Sequence, residues 1–424
     1  MSSTPENLSN TTTASDGEPK ASKRWAISMF GTAVGAGILF LPISAGEGGV
    51  WPLLILTIIV GPLVFLAHRG LSRYVLSSDR EDADITTTSE DHYGHAIGMV
   101  ITVLYFLAIL PIVLIYGVSI TNTVDGFIQQ QLHGPEIPRW LLALVLVGAM
   151  MLVMLFGQKL MLMITGWIVV PLILALFTFS IYLIPQWDFS AFSQAPSATG
   201  LLTAVWLAMP TVVFAFNHSP AISQFSLAMR EEHGDDANAV ASKTLGLAST
   251  ILVVFTMLFV WSCVLAMGSD GMAQARASND TVLTFMANTL DNPIIAYAGP
   301  IIAMAAITSS FFGHYLGAAE GAVGIIRAVR RTPREDFNAK TVQKIVAVLL
   351  FVITWLVAVA NPQILDIIEQ ITGPVIAMIL FILPVVGIYT IPALKPFRRQ
   401  WVVNAFVVVF GLIAISGLVT QFFL

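Results

Sequence analysis

Two short stretches of this chain combine residue types that can hold a small charged molecule. One is Gly31 to Ser44, GTAVGAGILFLPIS; the other is Phe216 to Pro220, FNHSP. Glycine costs a helix about 1 kcal/mol relative to alanine, and proline about 3. Pro220 lacks an amide hydrogen and pushes Ser219 away from helical angles, so the helical ladder is expected to break there. A break frees peptide groups for chemistry. Half-helix N-termini present amides to a carboxylate, while freed carbonyls and C-terminal ends suit an ammonium or a cation. A free amino acid carries both groups. Thr32 and the backbone of Gly35, Ala36 and Gly37 are the candidates for the carboxylate side, with glycines letting the backbone come close. Phe216, Asn217, His218 and Ser219 are the candidates for the rest of the cavity, with the Tyr116 hydroxyl to close it. An imidazole titrates near pH 6.5, so His218 is also a candidate proton carrier.

Ser309, Ser310 and His314 form a further polar group, with 310 and 314 on one helical face. The serines are candidates for coordinating a cation such as Na+, and His314 for packing or a gate. Glu320 is a candidate relay or gate; pairing with Arg327 is its plainer reading. Blander readings stand beside the others too. Gly31 and Gly35 have the GxxxG spacing of close helix packing, and Asn217 to Ser219 could simply cap broken ends. Tyr116 could be core. Asp366 and Glu369 read as gate or surface residues, and His68, Arg69 and Arg73 as anchors at a membrane boundary.

The elements that must position these residues are membrane spans. The chain is 56% hydrophobic and 11% charged, with mean hydropathy +0.83, against about 25% charged in soluble domains. Eleven apolar stretches recur, at 25–46, 50–76, 98–129, 139–156, 160–185, 201–230, 240–268, 292–328, 342–360, 363–391 and 400–422. Each is long enough to cross roughly 30 Å of hydrocarbon as a helix, the shortest of them only just. Residues 1–23 are polar and expected to be a disordered cytoplasmic tail, followed by one membrane domain over 24–424. With the N-terminus inside, Arg139 and Arg276 are the only basic residues of twenty left outside. That asymmetry supports an odd number of spans with the C-terminus outside. Two longer loops, 77–94 and 269–291, are each expected to hold a short surface helix.

The interrupted first and sixth spans lead two successive sets of five. This is the placement of an inverted repeat, about 24–186 and 200–392, with an extra helix at about 400–422. The expected fold class is therefore an all-α polytopic membrane protein of about eleven helices, with spans 1 and 6 broken at mid-membrane. Enzyme and channel readings find little support. There is no GxSxG, HExxH or paired Cys/His motif, Cys263 is a lone cysteine, and no TVGYG filter occurs.

From about Trp25 onward the chain closely resembles the hydroxy and aromatic amino acid permease family, of the amino acid-polyamine-organocation superfamily. Within it, the serine/threonine branch is the nearer match. The resemblance rests on GTAVGAGILFLPI, AHRGLSRYVL (Ala67 to Leu76), SITNTV (Ser119 to Val124), YLIPQW (Tyr182 to Trp187), FNHSP, REEHGD (Arg230 to Asp235), FGHYLGAAEG (Phe312 to Gly321) and GPVIAMILFILP (Gly373 to Pro384). It implies a leucine-transporter-like fold in a bacterial inner membrane, N-terminus cytoplasmic and C-terminus periplasmic. It further implies import of a small neutral amino acid, L-serine first and L-threonine second, or else an aromatic one, together with an inward cation. No other cofactor, nucleic acid or obligate protein partner is expected, only substrate and lipid bilayer. Serine and threonine carriers of the family commonly have lysine then serine where this chain has Ser309 and Ser310. That departure leaves both H+ and Na+ open as the coupling ion.

Overall fold

The computed structural model describes residues 19–155, 158–193, 195–330 and 338–422, and every regular element among them is a helix. Of the tail expected at 1–23, residues 1–18 lie outside the described residues. The first helix, α1 (Pro19–Ala33), already includes 19–23. It is followed by α2 (Ala36–Gly46), α3 (Val50–Val75), α4 (Ile85–Gly126), α5 (Arg139–Leu155) and α6 (Gln158–Tyr182). Next come α7 (Ala198–Ala215), α8 (Ser219–His233), α9 (Ala237–Ser278), α10 (Val282–Thr289), α11 (Pro293–Arg330) and α12 (Ala339–Ala360). One long rod, Ile364–Thr390, consists of α13 (Ile364–Ile367), α14 (Gly373–Ala377) and α15 (Leu383–Thr390), joined by two π-helical turns; α16 (Trp401–Ile415) closes the order.

Nine helices among the described residues are long and apolar enough to cross a membrane. The α1–α2 pair and α5 supply two more, giving the eleven spans. The starts of the elements follow from local chemistry. Asp84 accepts from the Thr87 amide at 2.7 Å to open α4, and Ser197 and Thr281 cap α7 and α10 in the same way. Gly94 (φ 75°) and Gly268 (φ 67°) bend α4 and α9 sharply where side chains are disfavoured. Residues 85–93 and 269–278 thereby become the short helices expected in the two long loops.

The two breaks lie where sequence placed them, with a change of detail. In the first span the helix stops at Ala33 and restarts at Ala36; Pro42 sits inside α2 and interrupts nothing. In the sixth the gap is Phe216–His218, and Ser219 is already the first residue of α8. Pro220 was expected to expel Ser219 from the helix. It is instead accommodated in the first turn, where its missing amide would have had no partner. The breaks face one another: a Cβ on Gly37 would lie 2.7 Å from Ala215 Cα. Every residue of α2 is buried, as are Ala208–Ala215 of α7, so both half-helices run through the core.

Two layers of polar contact bracket this core. At the basic end, Arg230 donates to the carbonyls of Arg80 and Val75, Ser72 meets Ser226 at 2.9 Å, and Arg327 pairs with Glu90 at 3.5 Å. At the far end, Arg276 pairs with Glu47 at 2.8 Å and Glu369 at 2.7 Å.

Candidate functional site

The first break is braced by a hydrogen-bonded knot. Ser310 of α11 donates to the Thr32 carbonyl at 2.6 Å and meets the Tyr116 hydroxyl of α4 at 2.7 Å. His314 Nδ1 lies 3.0 Å from the Ser310 carbonyl, and its ring stands edge-on to Tyr116 at 5.5 Å. Gly35 fits beneath this knot with no room to spare. A Cβ there would lie 2.5 Å from Ser310 Oγ, would overlap Ser310 Cβ, and would come within 2.9 Å of the Tyr116 oxygen. Thus Thr32, Gly35, Tyr116, Ser310 and His314, expected from separate spans, are drawn together. Two side chains point their hydroxyls elsewhere. Thr32 Oγ1 donates to Ser28 O and Ser309 Oγ to Ala306 O, each within its own helix. Thr32 contributes to the knot through its carbonyl, not its hydroxyl.

The second break is organised by a pair of stacked imidazoles. His218 and His68 lie with ring centroids 3.5 Å apart and planes 4° from parallel, both fully buried. The His218 backbone amide donates to His68 Nε2 at 3.1 Å. His68 was read as a boundary anchor, and the structure corrects this. It belongs to the buried stripe Val64, Ala67, Leu71, Ser72, Val75 of α3, whereas Arg69 lies over the Phe65 ring and Arg73 over Phe397. That stripe is the signal by which the sequence could have revealed it. Asn217 Oδ1 accepts from the Ser219 amide at 3.1 Å, so it does cap α8. Its Nδ2 and His218 Nε2, however, are buried and unpartnered. Buried polar groups of this kind call for a ligand or a water.

Glu320 lies apart from both knots. Ser223 donates to it at 3.5 Å, and the expected pairing with Arg327 is replaced by Arg327 with Glu90. The spacing of seven residues allowed the first pairing, but the helix at 85–93 brings a carboxylate to Arg327 from another part of the chain.

The far-end cluster was seen only in part. Glu369 and Asp366 were expected as gate or surface residues; their cation, Arg276, comes from the helix at 269–278 and also grips Glu47, with Asp366 at 3.9 Å. Ser44 donates to Glu369 at 2.6 Å. Burial holds the Glu47 carboxyl above the usual carboxylate range, against the pull of Arg276. A cavity of about 850 Å³ adjoins the cluster, lined by Ser44, Glu47, Trp206, Pro210, Arg276 and Glu369 among others.

Residues 22–424 match the family described as transmembrane amino acid transporter protein. The serine transporter SdaC of Escherichia coli (strain K12) is 44% identical over 410 residues, covering 95% of each chain. The threonine/serine transporter TdcC of Escherichia fergusonii is 39% identical over 426 residues, covering 95% of this chain and 96% of that one. Among solved structures, MhsT in complex with L-phenylalanine superposes with a TM-score of 0.59 at 15% identity, covering 92% of this chain and 98% of that one. A manganese transporter of Eremococcus coleocola gives 0.59 at 16%, covering 95% and 87%. The two structural likenesses establish the leucine-transporter-like fold. A polytopic helical chain with facing breaks in spans 1 and 6, matched by a family profile and by close relatives over nearly its whole length, belongs to the transmembrane amino acid transporter family and is not an enzyme.

Proposed function

We propose that the chain is a secondary active symporter that imports a small neutral amino acid, L-serine first and L-threonine second, together with an inward cation. The observation that carries this reading is the pair of facing breaks, with two buried, unpartnered side-chain atoms, Asn217 Nδ2 and His218 Nε2, at the second of them. Amides at the start of α2 (Ala36, Gly37) take the carboxylate. Asn217 Nδ2, His218 and the freed carbonyls near Phe216 face the remainder of the substrate, and Ser219 starts α8 beneath it. The relatives named serine and threonine transporters supply the substrate class.

The basic end faces the cytoplasm and Arg276 the periplasm of a bacterial inner membrane, by the distribution of Lys and Arg. Within two sets of five spans, about 24–186 and 200–392, with 400–422 as an added helix, the first, second, sixth and seventh spans rock against the remainder around the central site. The Arg276–Glu47–Glu369 cluster closes the outer path, and the Arg230, Ser72–Ser226 and Arg327–Glu90 contacts close the inner one. One elementary charge moving through 100 mV supplies about 2.3 kcal/mol, enough for roughly fiftyfold accumulation. The coupling ion is a proton; Na+ is the second reading, resting on the Ser310 hydroxyl beside the first break, since that of Ser309 turns to Ala306 O. The test is uptake of radiolabelled serine, threonine and tryptophan into proteoliposomes under a proton or a sodium gradient imposed separately. Concentrative serine uptake under one gradient is expected. Serine uptake that neither gradient drives would reject symport.

A further inference from the structure

The stacked imidazoles at the second break contain one open basic atom, and the hydrogen bonds identify it. A backbone amide can only donate, so His68 Nε2, which receives the His218 amide at 3.1 Å, carries no hydrogen. The His68 proton is therefore on Nδ1, where it donates to the Val64 carbonyl at 2.8 Å. A carbonyl can only accept, so His218 Nδ1, 3.1 Å from Phe216 O, likewise holds the proton of its ring. His218 Nε2 is left as a bare lone pair, buried and without a partner. His68 cannot take a second proton without surrendering the amide that fixes the break. His218 can.

We propose that His218 Nε2 is the proton-binding atom of the transport cycle and that His68 is its positioning residue. The proposal rests on the symport reading above and names its ion. In each cycle one N–H bond forms on Nε2 with a proton from the periplasmic side, and the same bond breaks toward the cytoplasm; no other bond changes. The neutral His68 ring, held flat against His218, offers its π face to the resulting imidazolium. In a water-poor interior that cation is costly unless an anion arrives with it. The substrate carboxylate at the adjoining break is such an anion, which makes loading of proton and amino acid mutually dependent.

Other ionisable groups on the surrounding elements do not take this place. The helices packed against α8 bring Arg69 and Arg73 from α3, Lys243 from α9, and His314, Tyr315 and Glu320 from α11, while α1 places Lys20, Lys23 and Arg24 in its first two turns, away from its break. His68 is the one in ring contact with His218. Glu320 meets α8 a turn farther inward, through Ser223.

The test uses the full chain in proteoliposomes. His218→Asn keeps an amide donor toward Phe216 O but cannot titrate near neutral pH. Serine-for-serine exchange should weaken in it, because a side chain facing the substrate is changed, but remain measurable at saturating serine, while accumulation driven by a proton gradient falls to equilibrium across the membrane. His68→Gln keeps an acceptor for the His218 amide but removes the stacked ring; proton-driven uptake should survive, with its half-maximal pH moved toward acid. Should His218→Asn prove too unstable to purify, nitrogen NMR of the histidine rings of the wild-type chain in nanodiscs asks the same question, with His68→Gln and His314→Gln to assign signals. His218 Nε2 should gain a proton as pH falls, and at a higher pH when serine is present. Proton-driven accumulation by His218→Asn, or an Nε2 that never changes state between pH 5 and 9, overturns the proposal. So does serine accumulation under a sodium gradient alone, which leaves the symport reading standing. Absence of both exchange and uptake in the wild-type chain would instead sink that reading itself.

Discussion

Replacing Gly35 with alanine should disable transport through a single methyl group. The φ of −156° at Gly35 is open to any residue, so the cost comes from its neighbours. The new Cβ would sit 2.5 Å from Ser310 Oγ and 2.9 Å from the Tyr116 oxygen. Neither atom retreats freely, because Ser310 is tied to Thr32 O at 2.6 Å and to Tyr116 at 2.7 Å. Forcing a methyl into a packed core costs about 1–3 kcal/mol. If Ser310 swings away, the buried Thr32 carbonyl loses its partner, adding about 1–3 kcal/mol. Gly35→Ala should therefore lower the apparent melting temperature in detergent by several degrees and reduce serine uptake at least tenfold. Gly35→Ala with Ser310→Gly, which removes the overlapped Ser310 atoms, should recover only part of the thermal stability, because the Thr32 carbonyl still lacks its partner and a glycine inside a helix costs about 1 kcal/mol. Wild-type melting and uptake in Gly35→Ala would refute the packing argument, as would a double variant less stable than the single one.

Three other outcomes are expected. Arg276→Gln leaves Glu47 and Glu369 facing each other without their cation, so the outer path should stand open; in a Cys263→Ala background, Ser44→Cys should react faster with an external thiol reagent than it does with Arg276 present. Burial, and then the Asp125 carboxylate, raise Asp280 in the outer loop to about 7, far above the roughly 3.9 of an unfolded chain. The native state thus binds this proton more tightly, and the contribution to stability is full below about pH 4 and lost as pH rises through about 7. The apparent melting temperature should fall between pH 5 and pH 8, and Asp280→Asn should flatten that slope; an unchanged slope would exclude Asp280 as its source. Arg327→Ala should lose under about 1 kcal/mol, as expected for a partly exposed pair. Its effect should be additive with Glu320→Gln but not with Glu90→Gln, as read by a double-mutant cycle.

The breaks were legible because their causes are local. Glycines, a proline and a polar triplet inside apolar runs announce interruption wherever the rest of the chain packs. Even so, the gap at Phe216–His218 shifted by one residue, since Pro220 can either end a helix or sit in the first turn of one. Contacts between distant segments were not legible in the same way. His218 meets His68 across 150 residues, and Arg276 meets Glu47 across 229. Proximity to Arg69 and Arg73 concealed His68, though its buried stripe was available. The Glu320–Arg327 expectation failed for a related reason. Spacing along one helix says which pairs are possible, not whether another segment supplies a better partner.

The central claim is that the amino acid lies between the two breaks, and a density map of the protein saturated with L-serine tests it most directly. The account predicts one serine with its carboxylate on the Ala36 and Gly37 amides and its remaining polar groups against Asn217 and His218. Serine bound only in the cavity beside Arg276 and Glu369, with the region between the breaks filled by side chains, would contradict it.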